Sequence, residues 1–424
     1  MSSWPRFTVE ELISKGIIER PMDGNHGSIH PKSTDYVDDG IPFVMASDLA
    51  NGRVNTRECA FISEKLANTL RKGFARTGDV LLSHKATIGR VAVVRQSAYP
   101  FVMLTPQVTY YRVADDNALN NFFLYYYFQS RDFLDVLEQW AGAGSTRAYL
   151  GITGQKKLPI ALPPIRTQNE IAAILGALDD KIELNRKTAA TLEEMARALY
   201  RSWFVDFDPV RARAEGRAPA HMDAATAALF PDSFGEDGLP EGWGEVRLGA
   251  LCSIKGGKQL TKEQFSNGGR YPVFGGAGYM GRSNESNADG FVITVGRVGA
   301  YCGKFVAHRG RCWVNNNASQ ISPFPEIASE ILFLLLKELD LSAIRKGAAQ
   351  PFISNGDLAE MKTVIASKPI LGSFCELIIP LQMQQECLKQ ENQTLETLRD
   401  TLLPRLMSGE LRVGAARELI EDVA

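Results

Sequence analysis

From Gly144 onward the chain repeats itself 203 positions later, without a gap, for about sixty residues. Gly144 falls on Gly347, Tyr149 on Phe352, Leu158 on Met361, Ile171 on Phe374, Leu178 on Leu381, Leu192 on Leu395 and Leu199 on Leu402. A further echo pairs Thr87-Ile88-Gly89-Arg90-Val91 with Thr294-Val295-Gly296-Arg297-Val298, at a shift of 207. So long a period means a duplicated domain pair and excludes a solenoid of short repeats. The length of 424 residues agrees, since it exceeds what one hydrophobic core fills.

The repeated part is the clearest local signal. Ile171, Leu175, Leu178, Ile182, Asn185, Ala189, Leu192, Ala196, Leu199 and Trp203 are spaced alternately by four and three. That is a heptad seam, which supercoils a helix onto a partner. Phe374, Ile378, Leu381, Gln385, Leu388, Asn392, Leu395, Arg399, Leu402 and Leu406 repeat it. Each copy offers the other a partner; the plainer alternative is that each helix packs on its own domain. Thr167 followed by Glu170 predicts a capping box after Pro163-Pro164, and Pro380 predicts a kink or the start of the second helix. Asn185 is expected either to fix register within the seam or to face solvent.

Before each helix lies a globular part of mixed character. Strands are predicted at Val80–Ser83, Val91–Val94, Gln107–Val113, Phe291–Val295, Gly303–Ala307 and Ala318–Ser322. Helices are predicted near Leu119–Trp140 and Glu326–Ile344, with one short helix near Met222–Leu229 in the turn-rich linker. The fold class is therefore α+β: two mixed α/β domains and two long antiparallel, coiled-coil-like helices related by an internal pseudo-two-fold repeat. The boundaries read as 1–163 for the first domain, 164–206 for the first helix and 207–240 for the linker. The second domain is 241–367, and 368–424 holds the second helix and tail. Residues 1–160 and 240–370 carry net charges of +2 and +4, while 161–239 and 371–424 carry −4 each. Nucleic-acid contact is thus permitted to the globular parts but not proven by charge.

Enzyme signatures are missing or out of context. No P-loop occurs, and no Asn/Asp-Pro-Pro-aromatic tetrapeptide of an amino-methyltransferase is present. Gly276-Ala277-Gly278-Tyr279-Met280-Gly281 matches a dinucleotide fingerprint but continues into loop-forming Arg282-Ser283-Asn284 rather than a helix. The five histidines and six cysteines lack metal-ligand spacing. No catalytic residue, metal ligand or cofactor site is expected. Met1-Ser2-Ser3-Trp4-Pro5-Arg6 lacks the form of an export signal and no apolar run would span a bilayer, so a cytoplasmic protein is expected.

Two long motifs resemble the specificity subunit of type I restriction–modification systems. One runs from Phe204-Val205-Asp206-Phe207-Asp208-Pro209-Val210 through Thr226–Asp232 to Pro240-Glu241-Gly242-Trp243. The other is Leu398-Arg399-Asp400-Thr401-Leu402-Leu403-Pro404-Arg405-Leu406-Met407-Ser408-Gly409-Glu410-Leu411. Leu162–Gln168 resembles that family's entry to its first helix, except that Thr167 stands where a glutamate is common. The resemblance implies two target-recognition domains reading a bipartite double-stranded DNA site, with helices that dock two methyltransferase subunits. A restriction motor-nuclease subunit would join for cleavage. S-adenosylmethionine and ATP would be used by those partners, not by this chain. The rival expectations are an enzyme with unrecognised motifs and a helical scaffold that leaves DNA alone.

Base-reading residues should differ between the two domains, and shared ones should bind phosphate or serve the scaffold. Unshared polar loop residues are Asn25, His26, Lys32, His84 and Lys85 in the first domain. In the second they are Lys255, Lys258, Gln259, Asn315, Asn316 and Asn317. Thr146 and Arg147 fall opposite Ala349 and Gln350 in equivalent loops, and Arg147 against Gln350 is an expected specificity difference. Arg90 and Arg297, shared through the Thr-x-Gly-Arg-Val echo, are expected to bind phosphate or support the scaffold.

Overall fold

The computed structural model describes residues 4–142, 148–347 and 350–421, the side chains of 420 and 421 excepted. Thr146 and Arg147 thus lie outside the described residues. The chain divides into two compact units, Met1–Asn185 with Glu391–Ala424 and Arg186–Gln390. Both divisions fall inside helices. The two long helices, Ile165–Phe204 and Lys368–Met407, are each 40 residues and start 203 residues apart, as the repeat requires.

Each unit contains half of both helices, running antiparallel. In unit 1, Ile171, Leu175, Leu178 and Ile182 are buried, and the first three share one core with Leu402 and Leu406 and with half-buried Leu395. Asp179 meets Arg399 at 2.8 Å, and Asn185 meets Asn392 at 3.1 Å. In unit 2, Ala196, Trp203, Phe374 and Ile378 are buried in a second core, with Leu199 and Leu381 against it. There Gln385 Nε2 donates to Ala189 O at 3.2 Å and to Glu193 Oε2 at 3.0 Å. Leu192 and Leu388 are half-buried. The seam therefore pairs the copies with each other.

The helix entries differ from the sequence expectation. The first helix starts at Ile165, so Thr167 lies within its first turn and caps nothing; Glu170 instead meets Arg166 at 3.3 Å. Its entry is tied by fully buried Gln168, whose Nε2 donates to Pro163 O and Ala118 O. Gln168 Oε1 accepts the Asn120 N–H at 2.9 Å. The second helix runs from Lys368 straight through Pro380 and Pro404. Both prolines are exposed, so the carbonyls they deprive of a partner can be hydrated.

Among the described residues, unit 1 holds β1 (Met22–Asp23), β2 (Leu49–Ala50), β3 (Gly52–Val54), β4 (Val80–Lys85), β5 (Thr87–Val93) and β6 (Val108–Tyr111). They form one sheet in the order β1-β6-β4-β5-β3-β2. A second sheet of five short strands is centred on Ile41–Val44. The helix predicted near Leu119–Trp140 is two helices, α1 (Asn121–Gln129) and α2 (Arg131–Ala141), divided at Ser130. The Ser130 hydroxyl accepts the Phe133 N–H and donates to Tyr127 O, so the side chain replaces helical backbone pairing. Unit 2 holds β7 (Cys252–Gly256), β8 (Phe291–Gly296), β9 (Phe305–Arg309) and β10 (Ala318–Pro323), ordered β7-β10-β8-β9, and α3 (Ser329–Glu338). A three-stranded sheet is centred on Tyr271–Gly275. The linker carries Asp208–Ala214, opened by Pro209, besides the shorter Ala224–Ala227.

Backbone bonds give a residue-by-residue correspondence between the units. Leu150 N donates to His84 O and Ile353 N to Arg297 O; Ala86 N donates to Ala148 O and Gly299 N to Pro351 O. Each member of the second pair of loops stands 203 after the first, so His84 corresponds to Arg297. Strand pairing continues the register, making Arg90 the counterpart of Lys304. The Thr-x-Gly-Arg-Val echo is therefore not a structural equivalence. Gly89 lies at an irregularity within β5, whereas Gly296 ends β8.

Candidate nucleic-acid interface

In both units the chain leaves the first strand of the repeated sheet through a glycine pressed against another loop. A Cβ on Gly24 would collide with the Leu104–Thr105 backbone, and one on Gly257 with the Val314–Asn315 backbone. Only glycine tolerates such an approach. The two residues after each glycine, Asn25 and His26 or Lys258 and Gln259, consequently occupy equivalent positions. These are sites where the fold repeats and the chemistry does not.

In unit 1, Asn25 is buried and structural: its Nδ2 donates to Lys72 O at 2.6 Å and its Oδ1 accepts the Arg71 N–H at 3.1 Å. Beside it His26 is exposed, with Nε2 2.6 Å from Asp23 Oδ2. Burial opposes ionisation of Asp23, but hydrogen bonds from Lys72 and His26 prevail and hold its pKa below the usual carboxylate range. His84 is fully buried against the Tyr149 ring, and desolvation pushes its pKa down to about 4. It is thus neutral at pH 7 and stands behind the surface. Lys85, the next residue, is exposed at the turn where Ala86 takes a φ of 63°. His26, Lys85, Tyr36, Thr105 and Gln107 line one open pocket of about 330 Å³. Lys32 is exposed on the following loop, outside that lining. Arg90 is exposed on β5, its Nη1 donating to Ala46 O and Ser47 O.

In unit 2, Lys255, Lys258 and Gln259 are exposed. Asn315 is buried, its Oδ1 accepting the Leu260 and Asn316 N–H groups. Asn316 is exposed; Asn317 is half-buried, and its Oδ1 accepts the Gly276 N–H at 3.1 Å. Gly276-Ala277 joins two antiparallel strands, Tyr271–Gly275 and Gly278–Ser283, so the apparent dinucleotide fingerprint is a hairpin. Arg297 is half-buried with a buried Nε lacking a hydrogen-bond partner. Gln350 is exposed.

The structure adds groups that polar-residue reasoning passed over. Tyr149 (49% exposed) and Phe352 (40% exposed) are equivalent, and both flank the turn that carries Lys85 or Val298. Tyr279 and Tyr301 are exposed in unit 2, with Lys304 Nζ 5.5 Å from the Tyr301 ring. Tyr149 and Phe352 already stood opposite each other in the 203-residue repeat, which was the available signal. Cations, amides and aromatic faces together suit phosphate contact, base-edge hydrogen bonding and stacking. Among the described residues no group of His, Cys, Asp and Glu is placed to hold a metal ion.

A repeated α/β scaffold with different polar side chains on matching loops is the construction of a sequence-reading DNA-recognition protein. The chain belongs to the type I restriction–modification DNA specificity family, whose domain model matches residues 8–194 and 240–370. It is 26% identical to the type I restriction enzyme MjaIX specificity subunit of Methanocaldococcus jannaschii, covering 90% of this chain and 89% of that one. Identity is also 26% to the HindI specificity subunit of Haemophilus influenzae, over 97% of this chain and all of the relative. The crystal structure of the type I S subunit from M. genitalium shares the fold, with a TM-score of 0.58 at 18% identity. That match covers 95% of this chain and 96% of the other.

Proposed function

We propose that each unit of this specificity subunit reads one half of a bipartite DNA site. The observation that carries this is the pairing of matching backbone positions with unlike side chains: His84 with Arg297, Lys85 with Val298, and His26 with Gln259. One scaffold with two side-chain sets suits two different half-sequences. Among the candidate positions, His26, Lys85, Lys258, Gln259, Asn316 and Gln350 are exposed and are the direct contacts. Arg90, Lys32 and Lys255 serve as phosphate contacts; Asn25, His84 and Asn315 position the loops.

The chain itself is non-catalytic in this reading. It works in the cytoplasm, with domains bounded as 1–163 and 241–367. Its long helices at 164–206 and 368–424 dock two methyltransferase subunits, and a motor-nuclease subunit joins them. Those partners use S-adenosylmethionine and ATP. Co-expression with the cognate methyltransferase followed by mapping of methylated bases tests the reading. Two short conserved sequences separated by an unread stretch are expected; a continuous site, or methylation by this chain alone, would overturn it.

A further inference from the structure

The two units differ in charge at one matched pair of positions. In unit 1, Thr109 of β6 lies between Leu82 of β4 and Asp23 of β1. In unit 2, Ser319 of β10 lies between Val295 of β8 and Gly256 of β7. This register makes Gly256 the counterpart of Asp23, just as Arg297 is the counterpart of His84, two residues beyond Val295 and Leu82. Unit 1 therefore holds a carboxylate and a buried imidazole where unit 2 holds a glycine and a guanidinium. In unit 1 the carboxylate is already engaged, by Lys72 and by His26.

The exchange leaves Arg297 without an acceptor of its own. A Cβ on Gly256 would stand 3.4 Å from Arg297 Nη1, so the guanidinium borders the space that a side chain at this position would enter. Arg297 Nε is buried with no hydrogen-bond partner. Acids of unit 2 that form ion pairs do so elsewhere, Glu330 with Arg309, Asp289 with Arg311 and Asp357 with Lys346. Among the described residues no carboxylate pairs with Arg297, or with the exposed Lys255 and Lys258 that flank Gly256-Gly257. The backbone beneath the side chain is fixed on both sides. Arg297 N donates to Asn317 O at 3.1 Å, and its carbonyl accepts the Ile353 N–H at 3.0 Å.

We propose that Arg297 reads a guanine in the half-site of unit 2, its two Nη groups donating to the O6 and N7 acceptors of that base. The assignment rests on the two-unit reading above. A half-buried guanidinium on a fixed backbone presents its fork in one orientation, which suits a pair of adjacent acceptors. Guanine is the base that offers such a pair in the major groove. A phosphate contact carries no sequence information and would be kept in both copies. Here the other copy has a buried histidine instead, with an acid where unit 2 has glycine.

The test maps methylated bases with the cognate methyltransferase for wild type, Arg297→Gln and Gly256→Asp. The aspartate restores the carboxylate of unit 1 beside an intact Arg297 and should occupy its donors, so both substitutions should produce the same change. One guanine of one half-site should be relaxed, its preference over other bases falling by about tenfold to a hundredfold, while the other half stays fixed. Gly256→Asp decides the matter alone if Arg297→Gln does not fold. Affinity that falls alike on all sequences, with the salt slope reduced by about one, would make Arg297 a phosphate contact and overturn the proposal. So would a bipartite wild-type site left unchanged by either variant, or relaxation at a base other than guanine. A continuous wild-type site would instead sink the two-unit reading, and this assignment with it.

Discussion

Lys85 and His84 are adjacent in sequence but have opposite fates, because successive side chains of a strand point to opposite faces. Lys85 is exposed in the pocket it shares with His26, so Lys85→Ala should weaken DNA binding. It should also reduce the slope of log affinity against log salt by about one. Equal slopes in wild type and variant would remove Lys85 from the contact surface. His84 is buried and held neutral, its pKa near 4 against an ordinary 6.5. Between those values the unfolded chain binds a proton that the folded chain refuses, so stability falls as pH drops through that window. Denaturant melts at pH 7 and pH 5 should show a smaller loss for His84→Phe than for wild type. A polar residue type in a loop pattern indicated chemistry for both residues, but not which side of the turn each faces.

At the scale of elements, the heptad seam was legible because its period is a property of the chain alone. The partner was not, and here lies the role of Asn185. It is 2% exposed and donates to Asn392 Oδ1 and Glu391 Oε2, while Asn392 Nδ2 donates to Ile182 O. Asn185→Ala should destabilise unit 1 by about 1–3 kcal/mol, since it strands buried amide groups. Replacing both asparagines with leucine should be near neutral, or stabilising at the expense of register. Urea melts of Asn185→Leu, Asn392→Leu and the double variant provide the cycle. A double variant as unstable as the singles would show that packing, not the amide pair, matters there. The Thr167 capping box failed because buried Gln168 ties the entry to Ala118 and Asn120, contacts about fifty residues away in sequence.

For the whole molecule, matched loops with unlike side chains predict separable specificity. Lys258→Ala with Gln259→Ala should relax one half of the methylated sequence and leave the other intact. His26→Ala with Lys85→Ala should do the converse. Methylation maps of the two double variants check this, and relaxation of both halves by either one would contradict it. The weakening expected of Lys85→Ala alone belongs to the same half.

The duplication, the two long helices and the family motifs could be read from the chain, because periodicity and spacing are properties of a linear string; that both helices run 40 residues came from the structure. Which residues of the two copies correspond was decided by tertiary structure. The Thr-x-Gly-Arg-Val echo aligned Arg297 with Arg90, yet hydrogen bonds from Leu150 and Ile353 align Arg297 with His84. Insertions between strands shift the numbering from one loop to the next, while backbone pairing restores the register in space. Exposure was decided in the same way: whether an asparagine reads a base or ties a loop depends on the surfaces that meet around it, and those come from distant parts of the chain.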